Sequence, residues 1–353
     1  MTASRQVDDE VAGHAPHVSR QIDHNVTKQA PGTRAVSERR VPDFFIVGHP
    51  KCGTSALFEM LRHRPQIYMP EVKETWFFAS ELRRGRPGRR RSTARASTLE
   101  QYLSLFAAAR ADQHIGEATP SYLRSHSAAT RIAEVQPAAR IVAILREPAS
   151  FLRSLHLQFV QTHVETEKDL RKALALEDDR REGRCIPARS AQPRDLLYSD
   201  TVRYVEQLKR YHAVFPAEQV LVLIYDDFRA DNEATVRAVL AHLGVRDSAQ
   251  IPALEANPTV RVRSQRLHEI VHSVTVGAGP AARVAKAGLK SLTSRRLRRE
   301  ALRVAERRVV LAAPRPADDD LMLELRRRFK AEVIAASEYL GRDLVRLWGY
   351  HEL

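Results

Sequence analysis

Between Gly48 and Ser55 the chain reads GHPKCGTS, a set of residue types suited to holding a phosphate. Phe44, Phe45, Ile46 and Val47 form a short apolar run, as in a strand covered on both faces within a parallel sheet, and Gly48 ends it. From Ser55 onward, Ala56, Leu57, Met60 and Leu61 recur at helical spacing. The turn between strand and helix therefore aims backbone N–H groups from a helix N-terminus, where the dipole favours an anion. Gly48 and Gly53 are spaced like the glycines of a nucleotide P-loop, but that motif needs a lysine directly after the second glycine, and Thr54 stands there. The lysine has moved forward to Lys51, which disfavours ATP or GTP. Cys52 suggests a cysteine phosphatase, whose loop requires an arginine six residues on; position 58 is Phe58 instead.

What remains resembles the 5′-phosphosulfate loop of sulfotransferases, which move a sulfuryl group from 3′-phosphoadenosine-5′-phosphosulfate (PAPS) to an alcohol or amine. Their loop reads P-K-x-G-T-[ST], and Pro50, Lys51, Cys52, Gly53, Thr54 and Ser55 match at each position, with Ala56 continuing the cradle. The likeness is to bacterial sulfotransferases, related to heparan-sulfate-type and Golgi domains, and covers roughly residues 42–353. It implies a P-loop-like three-layer α/β/α fold with a central parallel sheet. PAPS would be the co-substrate, adenosine 3′,5′-bisphosphate the product, and no metal would be required. Because PAPS carries a 3′-phosphate, a second anion site is needed at the same crevice. Arg140 to Arg146 reads as another buried strand, closed by Glu147 and Pro148, with a helix running on through Leu152 and Leu155. Ligands of open α/β sheets bind outside the carboxyl ends of the strands, where Arg146 would grip a phosphate by two parallel bonds. Ser154 can add its hydroxyl from the helix, and this Arg-Glu-Pro…Ser pattern resembles the family's 3′-phosphate motif. Arg261 and Arg263 are expected to close over the nucleotide.

Sulfuryl transfer needs a deprotonated nucleophile, an in-line approach and stabilisation of charge on the leaving phosphate oxygen. Lys51 is expected to supply the last. The resemblance implies Glu74 as general base, because family members carry E-x-x-F-F after the loop and Glu74, Phe77 and Phe78 fit it. Desolvation by Trp76, Phe77 and Phe78 would raise its basicity, and Trp76 and Phe77 are expected to touch the acceptor. Glu117 in GEATPSYL is the rival base, assigned a supporting or substrate-binding part. The family often has lysine next; Ala118 stands there. His49 and His156 read as structural or solvated. Cys52, at a helix N-terminus, is placed for a lowered pKa, without a catalytic role.

The elements that must position these residues alternate strand and helix, which argues for a parallel sheet. Strands are expected at 66–69, near Ile115 and over Val220–Tyr225. Helices are expected over 99–109, through Ile132 and Val135, over 200–214, ending before Gly244, and over 319–340 with Leu321, Leu323, Leu325 and Phe329 on one side. Residues 178–195 read as a loop. Residues 1–40 are polar and aperiodic, expected as a disordered tail before a single domain at 41–353. The arginine-rich run 83–97 reads as a mobile loop, and basic amphipathic helices are expected over 281–308. YLGRDLVRLWGY resembles a carboxyl-terminal segment of bacterial sulfotransferases.

A net charge of +14 over 353 residues suits a multiply anionic ligand. Two cysteines indicate no disulfide framework, and no apolar leader or membrane span is present, so a cytoplasmic enzyme is expected. Its acceptor would be a small molecule, lipid or glycan, with peripheral membrane contact allowed and no nucleic acid expected. Two alternatives stand beside this reading. The arginine runs at 83–95 and 295–308 suit a protein binding nucleic acid or an anionic membrane. A nucleotide kinase with a degenerate P-loop would turn over ATP with magnesium, against which the displaced lysine argues.

Overall fold

Residues 40–82, 96–187, 190, 193–247, 249, 251, 261–262, 311–312 and 316–353 are described by the computed structural model. The expected tail through residue 39, the arginine run 83–95, Arg263 and the basic helices expected over 281–308 lie outside the described residues.

Strands β1 (Phe44–Gly48), β2 (Ile67–Tyr68), β3 (His114–Ala118), β4 (Arg140–Leu145) and β5 (Val220–Ile224) form one parallel sheet in the order β2-β3-β1-β4-β5. The apolar runs that signal β1 and β4 are apolar because helices cover both faces: every residue of β1 is buried. Among the described residues the α-helices are α1 (Thr54–Arg62), α2 (Leu99–Leu103), α3 (Ala128–Val135), α4 (Pro148–Gln161), α5 (Leu170–Ala175), α6 (Glu177–Arg181), α7 (Tyr198–Thr201), α8 (Tyr204–His212), α9 (Tyr225–Ala230), α10 (Asn232–His242), α11 (Asp319–Leu340) and α12 (Leu344–Leu347). The architecture is the expected α/β arrangement of a central parallel sheet with flanking helices.

Because β1 lies between β3 and β4, the direction of winding reverses at β1, and a crevice opens at the carboxyl ends of these strands. Register then sets which residues meet there. Gly48 lies opposite Ala143 of β4, after an irregularity between Ile46 and Gly48, so Lys51 and Arg146 each leave the sheet three residues beyond a matched pair. On the other side Phe45 lies opposite Glu117 and Ile46 opposite Ala118.

Several boundaries differ from the sequence reading. The helix expected over 200–214 is two helices, α7 and α8. Tyr225 opens α9 rather than closing β5, and α6 occupies part of the expected 178–195 loop. On α11, Leu321, Leu325 and Phe329 are buried at four-residue spacing, whereas Leu323, two positions off that stripe, is 37% exposed. Arg261–Val262 pairs antiparallel with Leu311–Ala312, and this ribbon runs alongside α4.

Candidate active site

The loop from β1 to α1 is shaped by its backbone. Gly53 caps α1 with φ 79°, and a Cβ there would lie 2.7 Å from the ring of Phe228, so both conformation and space demand glycine. Lys51 also takes a left-handed φ, 65°. Among the described residues no side chain caps α1, and no acidic residue occupies its first turn. Its leading N–H groups therefore face the crevice with the dipole behind them. At α4 the equivalent groups are already taken, because Glu147 accepts from the N–H of Ala149 at 3.0 Å and of Ser150 at 2.7 Å.

Arg146 joins the two strand ends. Its Nη1 donates to the Lys51 carbonyl at 2.9 Å, its guanidinium lies 4.6 Å over the Tyr225 ring centroid, and its own carbonyl accepts from the Tyr204 hydroxyl at 2.8 Å. Among the described residues one N–H of the fork is used, by the Lys51 carbonyl. Elsewhere Arg64, Arg124, Arg180, Arg210, Arg237 and Arg342 pair with carboxylates. Among the described residues, Lys51, Lys73 and Arg146 form no such pair. Burial first, and Arg146 second, hold the Lys51 ammonium below the usual lysine range, while Arg153 is lowered by burial and the same neighbour. Lys51 and Arg146, which repel one another and have no carboxylate partner among the described residues, suit an anion with more than one charge.

The same α9 that carries Tyr225 and Phe228 is held from behind by residues 342–350. Arg342 makes two bonds to Asp227, at 2.5 and 2.7 Å, and Trp348 Nε1 donates to Asp226 at 3.0 Å. The Tyr350 hydroxyl donates to Glu147 Oε1 at 2.6 Å, next to Arg146.

On the β3 side, Glu117 is 1% exposed and caged by hydroxyls. Thr75 and Thr119 donate to Oε1 at 3.1 and 2.5 Å, and Tyr102 and Tyr122 to Oε2 at 3.0 and 3.2 Å. Burial pushes its pKa up, against these four bonds. Both carboxylate oxygens are engaged by hydroxyls, a geometry that suits the supporting part expected for Glu117. What it supports is the segment 73–78. The Glu74 N–H donates to the Ala118 carbonyl at 2.9 Å, and the Phe78 N–H to the Tyr122 hydroxyl at 3.2 Å. Glu74 and Trp76 sit at left-handed φ of 61° and 57°, a conformation that costs about 1–3 kcal/mol per residue and persists where surrounding bonds impose it.

Glu74 itself is exposed. The apolar enclosure expected around it does not form, because Phe77 and Phe78 turn into the core. Phe77 stacks on Tyr102 with centroids 4.4 Å apart and is 8% exposed, so it belongs to the packing rather than to an acceptor surface; Trp76 is half-buried. Ser154 is buried in the second turn of α4. For Arg261 the backbone runs beside α4.

A model of the sulfotransferase family matches residues 42–249, more than half of the chain. The chain belongs to the sulfotransferase family. A solved sulfotransferase from Alicyclobacillus acidocaldarius superposes with a TM-score of 0.53 at 30% identity, covering 67% of this chain and 91% of that one. Carbohydrate sulfotransferase 15 of Mus musculus is 26% identical over 256 residues, which is 59% of this chain and 44% of that protein. The membrane-associated sulfotransferase kil1 of Dictyostelium discoideum is 32% identical over 125 residues, 35% of this chain and 24% of that protein. The chain thus spans less than half the length of these curated relatives.

Cys52 departs from its helix-terminus expectation. It is fully buried, with Sγ 3.6 Å from the Pro50 carbonyl, and burial pushes its thiol up to about 12. Lys73 was not singled out by the sequence reading, although it adjoins Glu74; its Nζ donates to Ser55 Oγ at 2.7 Å. Among the described residues no group of His, Cys, Asp and Glu is placed to hold a metal ion, and no helix is long and apolar enough to cross a membrane.

His49 is enclosed behind the loop. Gln207 donates its amide N–H groups to the carbonyls of Asp200 and Thr201, so its Oε1 accepts from His49 Nε2 at 2.6 Å and leaves Nδ1 as a buried acceptor. Burial, opposed by the Gln207 bond and helped by Arg124 and Arg210, lowers His49 to about 4. A histidine depressed in the folded state contributes its full stability above the unfolded value near 6.5 and loses it as pH falls toward about 4. Over that window wild type should lose about 3 kcal/mol that His49→Gln does not lose, measured by urea unfolding from pH 7 to pH 4. Equal pH slopes for the two proteins would refute this.

Proposed function

We propose that this sulfotransferase uses PAPS and transfers its sulfuryl group to a hydroxyl or amine of a small-molecule, lipid or glycan acceptor. The observation that carries the reading is the junction of Lys51 and Arg146. Two cationic residues with no carboxylate partner among the described residues, joined by a 2.9 Å bond from the Arg146 guanidinium to the Lys51 carbonyl, stand at the start of α1, where no described side chain caps the helix. The residues present fit the nucleotide: the loop Pro50–Ala56 would hold the 5′-phosphosulfate, and Arg146 with Ser154 and Arg261 the 3′-phosphate. Bound PAPS supplies a sulfuryl group on a phosphate leaving group. Lys51 then steadies charge on the phosphate oxygen, and Glu74 accepts the acceptor's proton. Similarity to carbohydrate sulfotransferase 15 supports a glycan among the possible acceptors.

Calorimetry with adenosine 3′,5′-bisphosphate and AMP tests the nucleotide assignment. Arg146→Ala is expected to weaken the bisphosphate about 10–100-fold, the equivalent of losing charged hydrogen bonds, and to leave AMP nearly unchanged. Equal wild-type affinity for the two nucleotides would remove the 3′ site and the reading with it. Capture of transferred label from PAPS into a cell extract, followed by mass detection, would name the acceptor class.

A further inference from the structure

Tyr204 stands behind the turn that presents Arg146. The residue is fully buried, and its ring centroid lies 5.5 Å from that of His49 in the phosphate loop and 6.5 Å from that of Phe151 in α4. Its hydroxyl donates to the Arg146 carbonyl at 2.8 Å. The direction of that bond is fixed, because a carbonyl only accepts and a tyrosine has one proton to give. Burial first, then Cys52 and Glu147, push the Tyr204 pKa well above the ordinary tyrosine range, so the hydroxyl keeps its proton.

The Arg146 carbonyl falls just outside the helix that follows it. Pro148 opens α4, and the first helical bond runs from the Phe151 N–H to the Glu147 carbonyl at 2.8 Å. The Ser150 N–H, four residues beyond Arg146, is held by the Glu147 carboxylate at 2.7 Å. Tyr204 therefore supplies the donor that α4 does not. At the other end of the same residue, Nη1 donates to the Lys51 carbonyl at 2.9 Å. Arg146 is thus held at two points, its backbone to α8 and its guanidinium to the phosphate loop.

α8 is set in turn by α11. The residue before α8 offers no side-chain cap, and Glu332 Oε1 of α11 accepts from the Val205 N–H, next to Tyr204, at 2.9 Å. A chain of bonds runs from α11 through the start of α8 to the end of β4.

We infer that Tyr204 is a positioning residue for the nucleotide site: its hydroxyl, braced through Glu332, fixes the end of β4 so that the Arg146 guanidinium is aimed before a ligand arrives. This rests on the assignment of Arg146 to the 3′-phosphate proposed above. Tyr204 acts through Arg146 rather than by touching the nucleotide.

Tyr204→Phe removes one oxygen and keeps the ring. By calorimetry, affinity for adenosine 3′,5′-bisphosphate should fall about fivefold, as for one lost hydrogen bond, while affinity for AMP stays within about twofold. In an Arg146→Ala background the same substitution should change neither affinity, since residues acting in series are not additive. Tyr211→Phe is the control: Tyr211 is buried on the same helix and its hydroxyl has no partner among the described residues, so both affinities should hold. Equal weakening of the two nucleotides by Tyr204→Phe, or the same loss with Arg146 already removed, would reduce Tyr204 to packing and overturn the inference. So would unchanged bisphosphate affinity, or a like loss in Tyr211→Phe. Should Tyr204→Phe fail to fold, Glu332→Ala reads the same ratio of affinities from the far end of the chain of bonds, and an unchanged ratio there overturns the inference as well. Equal wild-type affinity for the two nucleotides would remove the 3′ site and this inference with it, a result seen before any variant is compared and so distinguishable from the Tyr204 outcomes.

Discussion

Lys51→Ala is expected to lower the rate of sulfuryl transfer by at least about 10²–10³-fold, the range for removing one preorganised donor from developing charge. The physical ground is the isolation of this ammonium. It projects from a residue held at φ 65°, between Pro50 and a buried Cys52, and has no carboxylate partner among the described residues. Burial and Arg146 both disfavour its charge, so the protein alone does not stabilise it; an arriving anion does. That interaction strengthens further as the S–O bond breaks and charge gathers on phosphate, which is why the loss should fall on turnover more than on nucleotide affinity. Lys51→Arg should not restore the rate, since a planar fork cannot replace a compact charge beside one oxygen. Single-turnover transfer with PAPS, beside calorimetry with the bisphosphate, reads both quantities. Full turnover in Lys51→Ala would end the proposed role.

The second large effect is a contrast between two glutamates. Glu74→Gln should reduce turnover about 10²–10⁴-fold, the usual contribution of a general base, while leaving the melting temperature unchanged because the side chain is exposed. Glu117→Gln should act in the opposite sense. An amide replaces a carboxylate oxygen with a donor, so of the hydroxyls of Thr75, Thr119, Tyr102 and Tyr122 at least one pair would face N–H instead of an acceptor. Leaving buried hydroxyls unpaired costs about 1–3 kcal/mol each, and the fold should soften accordingly. Denaturation curves and initial rates on the two variants decide it. A Glu117→Gln enzyme that is dead at wild-type stability, beside an active Glu74→Gln enzyme, would transfer the base role to Glu117.

The parts legible in the sequence were those governed by local rules. Continuous apolar runs marked β1, β4 and most of β5, because strands covered on both faces cannot alternate. The loop was legible because glycine, proline and lysine at fixed offsets carry conformation and charge together. Arg146 followed from the rule that places ligands at strand ends. What was not legible depends on partners far along the chain. The cage around Glu117 draws hydroxyls from positions 75, 102, 119 and 122, so nothing in GEATPSYL alone shows that its glutamate is enclosed. The aromatic pair after Glu74 looked like a desolvating wall, but Phe77 packs on Tyr102, which no local pattern could foresee. Left-handed backbone at Glu74 and Trp76 has no residue signature, since neither is glycine. The sign of the Cys52 shift was misread for the same reason: helix-terminus logic applies to an accessible thiol, and this one is sealed in.

The bonds from Arg342, Trp348 and Tyr350 to Asp227, Asp226 and Glu147 have a consequence for how the crevice comes into being. Tyr350 meets Glu147 across 203 residues of sequence. Closing so long a loop is entropically unfavourable until other contacts are in place, so the Arg146 end of the crevice is expected to assemble late. During synthesis, a ribosome that has already released β1 and α1 still holds the residues that lock Arg146's surroundings. On this reasoning the loop after β1 is expected to stay unbraced until residues 342–350 dock.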